Sequence, residues 1–190
     1  MVEVTEADLR AIRRILRVNH AGETGAIKIY GAQIVIAKRR YPDIVATLSK
    51  MRKDEIRHCA LFRDVMQERS TRPCYVMPLW SRGGYVLGFV TALMGRNMIW
   101  ICTEAVETTV HLHLMDQLRF LKSRDDTLAA AIDSITEEEL AHRDEARARQ
   151  IGQSHIDKAM YRVISALTST MIWLSTWGDP SFMIRDLRRS

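Results

Sequence analysis

The sequence predicts an all-α protein made of long antiparallel helices joined by short loops. Long segments carry apolar residues at helical spacing, and no strand-like alternation bounded by turn residues competes with them. The composition, 47% apolar and 27% charged over 190 residues, suits one domain with a sizeable core. Two Glu-x-x-His motifs at matched positions indicate two helix pairs. We therefore expect a single domain over residues 1–190.

The first helix pair is predicted over about residues 5–69. Thr5 and Asp8 form a capping-box-like helix start, and apolar residues recur at helical spacing from there to about Lys38. The Tyr-Pro-Asp segment at 41–43 breaks the chain, and a second helix follows from about residue 43 to residue 69. The inward positions expected on this second helix are Val45, Leu48, Met51, Ile56 and Leu61.

Residues 70–95 are expected to form an apolar connection. Prolines and glycines make residues 70–84 the longest irregular stretch, and the apolar segment 85–94 then leads into a long helix that reaches about Leu121. A helix rich in Ala and Glu, over about 125–150, completes the second helix pair, assigned to residues 96–150. A strongly apolar helix over about 155–177 and a short basic tail end the chain.

The two Glu-x-x-His motifs lie at Glu55–His58 and Glu139–His142. Helix positions three apart share a face, so each motif can present a carboxylate and an imidazole to one metal ion. A lone glutamate precedes each motif by 32 residues, Glu23 in the first half and Glu107 in the second. The whole triplet therefore repeats with an offset of 84 residues. This is the ligand pattern of di-iron or di-manganese carboxylate four-helix bundles.

The predicted metal ligands are Glu23, Glu55, His58, Glu107, Glu139 and His142. Four carboxylates that face one core are costly if unpaired, and two divalent cations balance their four negative charges. Carboxylate and imidazole donors favour iron or manganese, and two such ions held close together can both bind one dioxygen. The competing interpretation is a solvated helix face, because both motifs lie in charge-rich runs.

The formal net charge of +5 indicates an anionic partner. No nucleic-acid-binding signature accompanies the basic residues, so a phospholipid surface is preferred and no nucleic-acid partner is expected. The uncharged stretches 83–95 and 163–178 are shorter than the roughly 18 residues of a spanning helix. The apolar segments 76–94 and 163–177 are instead predicted to lie in the membrane interface; the alternative is that they form core or a dimer interface. The candidate interfacial anchors are Trp80, Trp100, Trp173 and Trp177.

The number and spacing of the cysteines indicate the redox state of the compartment in which the protein works. Cys59, Cys74 and Cys102 are odd in number and widely spaced, which argues against a disulfide framework and favours a reducing environment. No secretory signal is visible at the N-terminus. The predicted location is the cytoplasmic face of a bacterial inner membrane, or an equivalent reducing compartment, with peripheral attachment to the membrane.

Beyond the two metal motifs, the chain contains a series of distinctive segments: RVNHAGETGAIKIY, DEIRH, RPCYVMPLW, GFVTALMG, CTEAVETTVHLH and EEELAHRD. In these segments the chain resembles the demethoxyubiquinone hydroxylase family of ferritin-like di-iron enzymes. The resemblance covers about residues 12–175, and the NHAGETGA and MPLW segments are far more specific than Glu-x-x-His alone. It implies a ferritin-like four-helix bundle and the same six ligands that the spacing indicates.

The resemblance also implies an activity. It is O2-dependent hydroxylation of a polyprenylated demethoxybenzoquinol at two iron ions, the 3-demethoxyubiquinol 3-hydroxylase step of ubiquinone biosynthesis, with NADH as the ultimate reductant. The implied partners are the quinol, a membrane surface, and other ubiquinone-biosynthesis proteins or a second copy of the chain. Trp80 and His113 match positions that handle quinone or electrons. On a straight helix, however, His111 rather than His113 shares the face of Glu107, so the two histidines remain alternatives.

The chain departs from the family pattern at several positions. Asn19 replaces the usual Asp, Leu114 replaces the usual Tyr, and Glu104 replaces an apolar residue. Glu104 is either an additional acid near the metals or a competing ligand. His20 is either an outer partner of the site or part of a helix–helix hydrogen bond. The tail after about Trp177 is longer than usual. Two other functions remain open: a different ferritin-like di-iron oxidase or ferroxidase, and a non-catalytic lipid-binding helical protein.

Overall fold

The structure is a computed structural model that describes residues 4–179. In this range the secondary structure consists of six α-helices and one short 3-10 helix, without a strand, which confirms the all-α prediction. The tail beyond residue 179 lies outside the described residues. The helices are α1 (Glu6–Arg40), α2 (Val45–Glu68), α3 (Met77–Met94), α4 (Arg96–Leu121), α5 (Asp126–Ala148) and α6 (His155–Ser175).

Local sequence sets both ends of α1. The Thr5 hydroxyl accepts a hydrogen bond from the Asp8 backbone N–H, and the Asp8 carboxylate accepts one from the Thr5 backbone N–H, so the predicted capping box is present. Three basic residues occupy the last turn, where they complement the helix dipole. The 3-10 helix Pro42–Ile44 follows, and α2 therefore begins at Val45, two residues later than predicted.

The helices α1, α2, α4 and α5 form an antiparallel bundle, with α3 packed on α1 and α6 packed on α4. The bundle interior contains two large apolar clusters. One includes Ile15, Phe62 and Phe120, and the other includes Leu48 and Trp100. Along each bundle helix the predicted ligand positions lie between these clusters. The acids are therefore held in the middle of the bundle by apolar packing on both sides.

The stretch 70–84, predicted to be irregular, is helical from Met77 onward. Pro78 lies in the first turn of α3, where its missing N–H has no helical partner to lose. Gly95, with φ of +133°, separates α3 from α4, which begins at Arg96. A backbone angle in this region favours glycine and ends the helix.

The glycines of α3 fit a helix because α3 approaches α1 very closely. A Cβ atom added at Gly84 would lie 2.5 Å from the carbonyl oxygen of Gly25, and one added at Gly88 would lie 2.3 Å from that of Ile29. Only glycine leaves room for this contact between two backbones. Tertiary packing thus offsets the low intrinsic helix propensity on which the irregular prediction depended.

Two burial predictions are wrong. Ile56, predicted to point inward, is 46% exposed, because the adjacent Glu55 occupies the inward face and successive helix positions point in different directions. Trp100, predicted as an interfacial anchor, is fully buried in the core. Of the other inward predictions on α2, Leu48 and Met51 are buried, and the remaining two are partly buried.

The outer faces of α3 and α6 expose many apolar side chains. Over residues 4–179, none of the helices combines the length and hydropathy that crossing a bilayer requires. The exposed large apolar residues of these two helices and their ends are Tyr75, Leu79, Tyr85, Val86, Val90, Leu93, Met94, Ile156, Val163, Leu167, Trp173, Leu174 and Trp177. Isolated exposed apolar residues are ordinary, but a concentration on two helices marks an interaction surface.

Candidate metal centre and substrate cavity

The fold brings the six predicted ligand residues together in the middle of the bundle, each from a turn of α1, α2, α4 or α5. They form two overlapping groups of buried donors, and within each group the ligand atoms lie within 4.8 Å of one another. The first group consists of Glu23, Glu55, His58 and Glu139, and the second of Glu55, Glu107, Glu139 and His142. Glu55 and Glu139 belong to both groups, so their carboxylates lie where two ions could share them.

Both histidines direct Nδ1 into the cluster. His58 Nδ1 lies 3.0 Å from Glu139 Oε1, and His142 Nδ1 lies 3.1 Å from Glu55 Oε1. None of these four atoms has a hydrogen-bond partner among the described residues. Buried nitrogen and oxygen atoms that converge without hydrogen bonds are costly unless a cation binds them. The donor set therefore fits a pair of divalent metal ions.

The opposite nitrogen of each ring contacts an outer carboxylate. His58 Nε2 lies 2.8 Å from Glu138 Oε2, and His142 Nε2 lies 3.2 Å from Asp54 Oδ2. A hydrogen bond at Nε2 fixes the tautomer that leaves the Nδ1 lone pair free, which is the usual arrangement around metal-binding histidines. Sequence reasoning missed both acids. Their signal was present, since an acidic residue directly precedes the glutamate of each motif.

Burial and neighbouring charges shift the pKa values of the donor residues. Burial raises the pKa of Glu23 and of Glu107 well above the usual range, and neighbouring carboxylates raise it further. Burial acts in the same direction on Glu55, but the close contacts with the His142 and His58 rings outweigh it and lower the pKa of Glu55 to about 2. Burial would lower the pKa of His58, but the surrounding carboxylates raise it well above its ordinary value. The raised pKa values of Glu23 and Glu107 show that burial disfavours their charged forms, which divalent cations would stabilise.

Tyr30 supports the second group of donors. Its hydroxyl, fully buried, donates a hydrogen bond of 2.7 Å to Glu107 Oε1. Burial and the nearby carboxylates raise the pKa of Tyr30 well above its ordinary value, so the phenol keeps its proton and remains a donor. No pattern in the sequence marked this residue, because its partner lies 77 positions away.

A cavity of about 260 Å³ leads to the carboxylates from the side of the bundle covered by α3 and α6. Its inner wall includes the four glutamates of the cluster, and the remainder is mostly apolar. Leu79 and Leu167, at the outer part of the wall, are about half exposed, so the cavity opens within the apolar face of the two helices. An apolar cavity with few polar groups at its inner end is typical of a site for an amphipathic ligand.

Trp80 and His113, the predicted substrate-side residues, both line this cavity, and His111 does not. The Trp80 indole rests on Gly25 and donates a hydrogen bond of 2.9 Å to Ser175 Oγ, which links α3 to α6. Burial lowers the pKa of His113, which favours the neutral ring. His111 was the alternative because on a straight helix it shares the face of Glu107. The cavity face of α4 is broader and follows residues 106, 110, 113 and 117, spaced three or four apart.

The departures from the family pattern have separate structural outcomes. Both Glu104 oxygens are bound away from the cluster, to Arg147 Nε at 2.7 Å and Gln150 Nε2 at 2.6 Å, and Glu104 belongs to neither donor group. Leu114 is buried and lines the cavity. Neither ring nitrogen of the buried His20 has a hydrogen-bond partner among the described residues, so the helix–helix hydrogen bond considered for it is not formed there.

The model of the family described as ubiquinone biosynthesis protein COQ7 matches residues 10–175, most of the chain. The chain belongs to this family. This confirms the family resemblance, and the all-helical fold of the described residues is compatible with the bundle it implies.

Individual relatives are consistent with membership of this family. The chain is 35% identical over 164 residues to a 3-demethoxyubiquinol 3-hydroxylase of Rhodospirillum rubrum, covering 86% of this chain and 77% of the relative. It is 33% identical over 179 residues to an NADPH-dependent 3-demethoxyubiquinone 3-hydroxylase, mitochondrial, of Dictyostelium discoideum, and the match covers 92% of this chain and 81% of the relative. It is 31% identical over 190 aligned positions to a 5-demethoxyubiquinone hydroxylase, mitochondrial, of Saccharomyces cerevisiae, and the match covers 92% of this chain and 80% of the relative. The relatives are thus named as hydroxylases of a ubiquinone precursor.

Proposed function

We propose that this chain is a di-iron 3-demethoxyubiquinol 3-hydroxylase of ubiquinone biosynthesis. The observation that carries the proposal is the apolar cavity, which ends at two overlapping groups of buried carboxylate and histidine donors. A ferroxidase needs the donors but not a mostly apolar cavity of about 260 Å³. A lipid-binding protein without catalysis needs the cavity but not four buried glutamates. The combination favours an oxidase that acts on an apolar ring.

Each part of the site has a role in this proposal. Glu23 and His58 would hold one iron and Glu107 and His142 the other, and Glu55 and Glu139, which belong to both donor groups, would contribute carboxylate ligands. Two irons bound there would supply electrons to dioxygen. Over the whole reaction one oxygen atom replaces a ring hydrogen as hydroxyl and the other leaves as water, which consumes two electrons and two protons. The apolar walls exclude bulk water from the ring, and Tyr30 and the outer acids fix the orientation of the donors.

Quinone profiling in a cell that lacks this gene tests the activity. Build-up of the demethoxy intermediate, rescued by the wild-type chain but not by Glu107→Ala, supports the proposal. Normal ubiquinone in the deleted cell contradicts it. Glu104→Ala is the matched control, since it removes a buried glutamate of the same helix that lies outside the donor groups. We expect this variant to rescue.

The metal and the reductant are tested on purified protein. We expect about two irons per chain after anaerobic loading with Fe(II), and protein that cannot be loaded contradicts the site. The predicted reductant is NADH, whereas the name of the Dictyostelium relative specifies NADPH. Oxygen consumption with the quinone and each nucleotide in turn distinguishes the two.

We also propose that the protein docks on a membrane through the apolar outer faces of α3 and α6. A polyprenylated substrate partitions into lipid, and the cavity opens within this face. Docking there lets the ring enter from the bilayer while the tail remains in lipid. The positive net charge of +5 adds attraction to anionic headgroups.

Flotation with anionic phospholipid vesicles tests the docking surface. Val86 and Val90, one turn apart on α3, are 58% and 43% exposed, and the double change to Asp should abolish co-flotation. Val35→Asp is the control, because Val35 is 55% exposed on α1 and lines no described cavity. Equal flotation of all three proteins, or none by the wild type, contradicts docking through this face.

A further inference from the structure

Two carboxamides lie in the wall of the substrate cavity. Asn19 on α1 and Gln117 on α4 both line it, and each is more than nine-tenths buried. Asn19 Nδ2 donates a hydrogen bond of 2.8 Å to Gln117 Oε1, across 98 positions of sequence. In a wall that is otherwise mostly apolar, such polar groups fix the orientation of a ligand.

The pair has unused hydrogen-bonding capacity. Its mutual bond uses one N–H and one oxygen, and within residues 4–179 the remaining Asn19 Oδ1 and Gln117 Nε2 have no partner. If both amides are turned over, the free groups are Gln117 Oε1 and Asn19 Nδ2 instead. In either assignment the pair offers one free acceptor and one free donor, which a ligand in the cavity can satisfy.

The pair also lies close to the donor groups. Tyr30 contacts Glu107 and Asn19 contacts Gln117, which gives the register of α1 against the antiparallel α4. Asn19 precedes Glu23 by four residues, so the amides lie about 6 Å along the helix axis from that carboxylate. A ring bound against the cluster is therefore within reach of the pair, while the cavity mouth lies between α3 and α6.

We infer that the Asn19–Gln117 pair binds the polar edge of the quinol ring. Its free oxygen accepts a hydrogen bond from a ring hydroxyl, and its free N–H donates one to the adjacent ether oxygen. This inference rests on the proposed function and names the recognition groups of that site. The two contacts orient the ring about its axis and select a quinol whose hydroxyl neighbours a methoxy group. The apolar tail then extends toward the mouth.

The double variant Asn19→Leu with Gln117→Met tests the inference, because it removes both amides at nearly constant volume and leaves neither one unpaired. The probe is a short-chain demethoxybenzoquinol with its methoxy group. We expect its Kd for the metal-free protein, measured by anaerobic calorimetry, and its KM for the iron-loaded protein to rise at least tenfold. The iron content should stay at the wild-type value. Gln33→Met is the control, since Gln33 is a buried amide of α1 outside the cavity wall.

The possible results distinguish a failure of this inference from a failure of the proposed function. Unchanged Kd and KM in the double variant overturn the inference, leave the proposed function intact, and make the pair a helix–helix contact only. A wild-type protein that binds iron but neither binds nor hydroxylates the quinol overturns the proposed function, and the inference with it. If the double variant does not fold, Gln117→Met alone should raise Kd and KM several-fold, and no change there overturns the inference.

Discussion

Replacing Asp54 by Asn should weaken metal binding while leaving the fold in place. Asp54 is the outer partner of His142, at 3.2 Å, and its side chain is almost buried. Burial would raise the pKa of Asp54, but hydrogen bonds from Lys50, His142 and Arg57 lower it to about 2, so the residue is a carboxylate at every working pH. Asn keeps the size and removes the charge that orients and polarises the imidazole.

The expected size of the effect follows from these contacts. Loss of an outer carboxylate typically lowers metal affinity by about 10–100-fold, or roughly 1.4–2.7 kcal/mol. The pairs with Lys50 and Arg57 should contribute at most about 1 kcal/mol to folding, since both cations are more than half exposed. The loss should therefore appear mainly in metal binding. Glu138→Gln, the counterpart at His58, should have a smaller effect because Glu138 is more exposed.

Competition between the protein and a chelator for Fe(II), followed anaerobically, measures this affinity. Lys50→Gln is the matched control, because it removes one exposed ion pair of Asp54 and leaves the contact with His142. We expect the control to bind like the wild type. Wild-type affinity in Asp54→Asn would refute the outer-partner role, and an equal loss in Lys50→Gln would show that the effect is general electrostatics.

Three further predictions concern packing, the site and pH. Gly88→Ala should destabilise the protein by about 2 kcal/mol or more, because the added methyl group would overlap a backbone carbonyl of α1. The thermal unfolding midpoint should therefore fall, and an unchanged midpoint contradicts the close approach of α3 to α1. Tyr30→Phe leaves Glu107 Oε1 without its donor and should weaken Fe(II) binding in the chelator assay, whereas unaltered binding means the hydroxyl does not position that carboxylate. The pKa of Asp125 is lowered by hydrogen bonds from Arg69 that outweigh burial, so its stabilisation is present above about pH 4 and lost as the pH falls through the folded pKa. Denaturation should therefore show Asp125→Asn, which keeps the helix cap, less stable by about 1 kcal/mol at pH 7, and this difference should shrink as the pH falls below about 4. A pH-independent difference contradicts this.

Predictions based on local patterns were the successful ones. The capping box at Thr5, the helix class and the approximate ends of five helices depend on residues within one or two turns of each other, and such signals can be read along the chain. The six ligand candidates also came from spacing alone, because helical periodicity and an offset of 84 residues survive in the linear sequence. The structure then brings those six side chains together.

The failures share a different cause. Residues 77–84 were not expected to be helical, since helix propensity counts glycine as unfavourable and contains no information about a neighbouring backbone. Trp100 looked like an interfacial anchor because an aromatic residue in an apolar stretch reads the same in a core and at a membrane surface. The choice between His111 and His113 stayed open in the sequence, because the cavity that His113 lines and His111 does not is formed only by the packed helices.

The sequence by itself determined the helical class, the family and the residues that could hold two metal ions, because each of these is encoded in short-range periodicity or in motifs. Only the tertiary structure decided what surrounds those residues. The outer acids, Tyr30 and the Asn19–Gln117 pair reach their partners across 77 to 98 positions of sequence. Such contacts depend on how the helices are placed against one another, and that placement is fixed by packing along whole helices rather than by any local pattern.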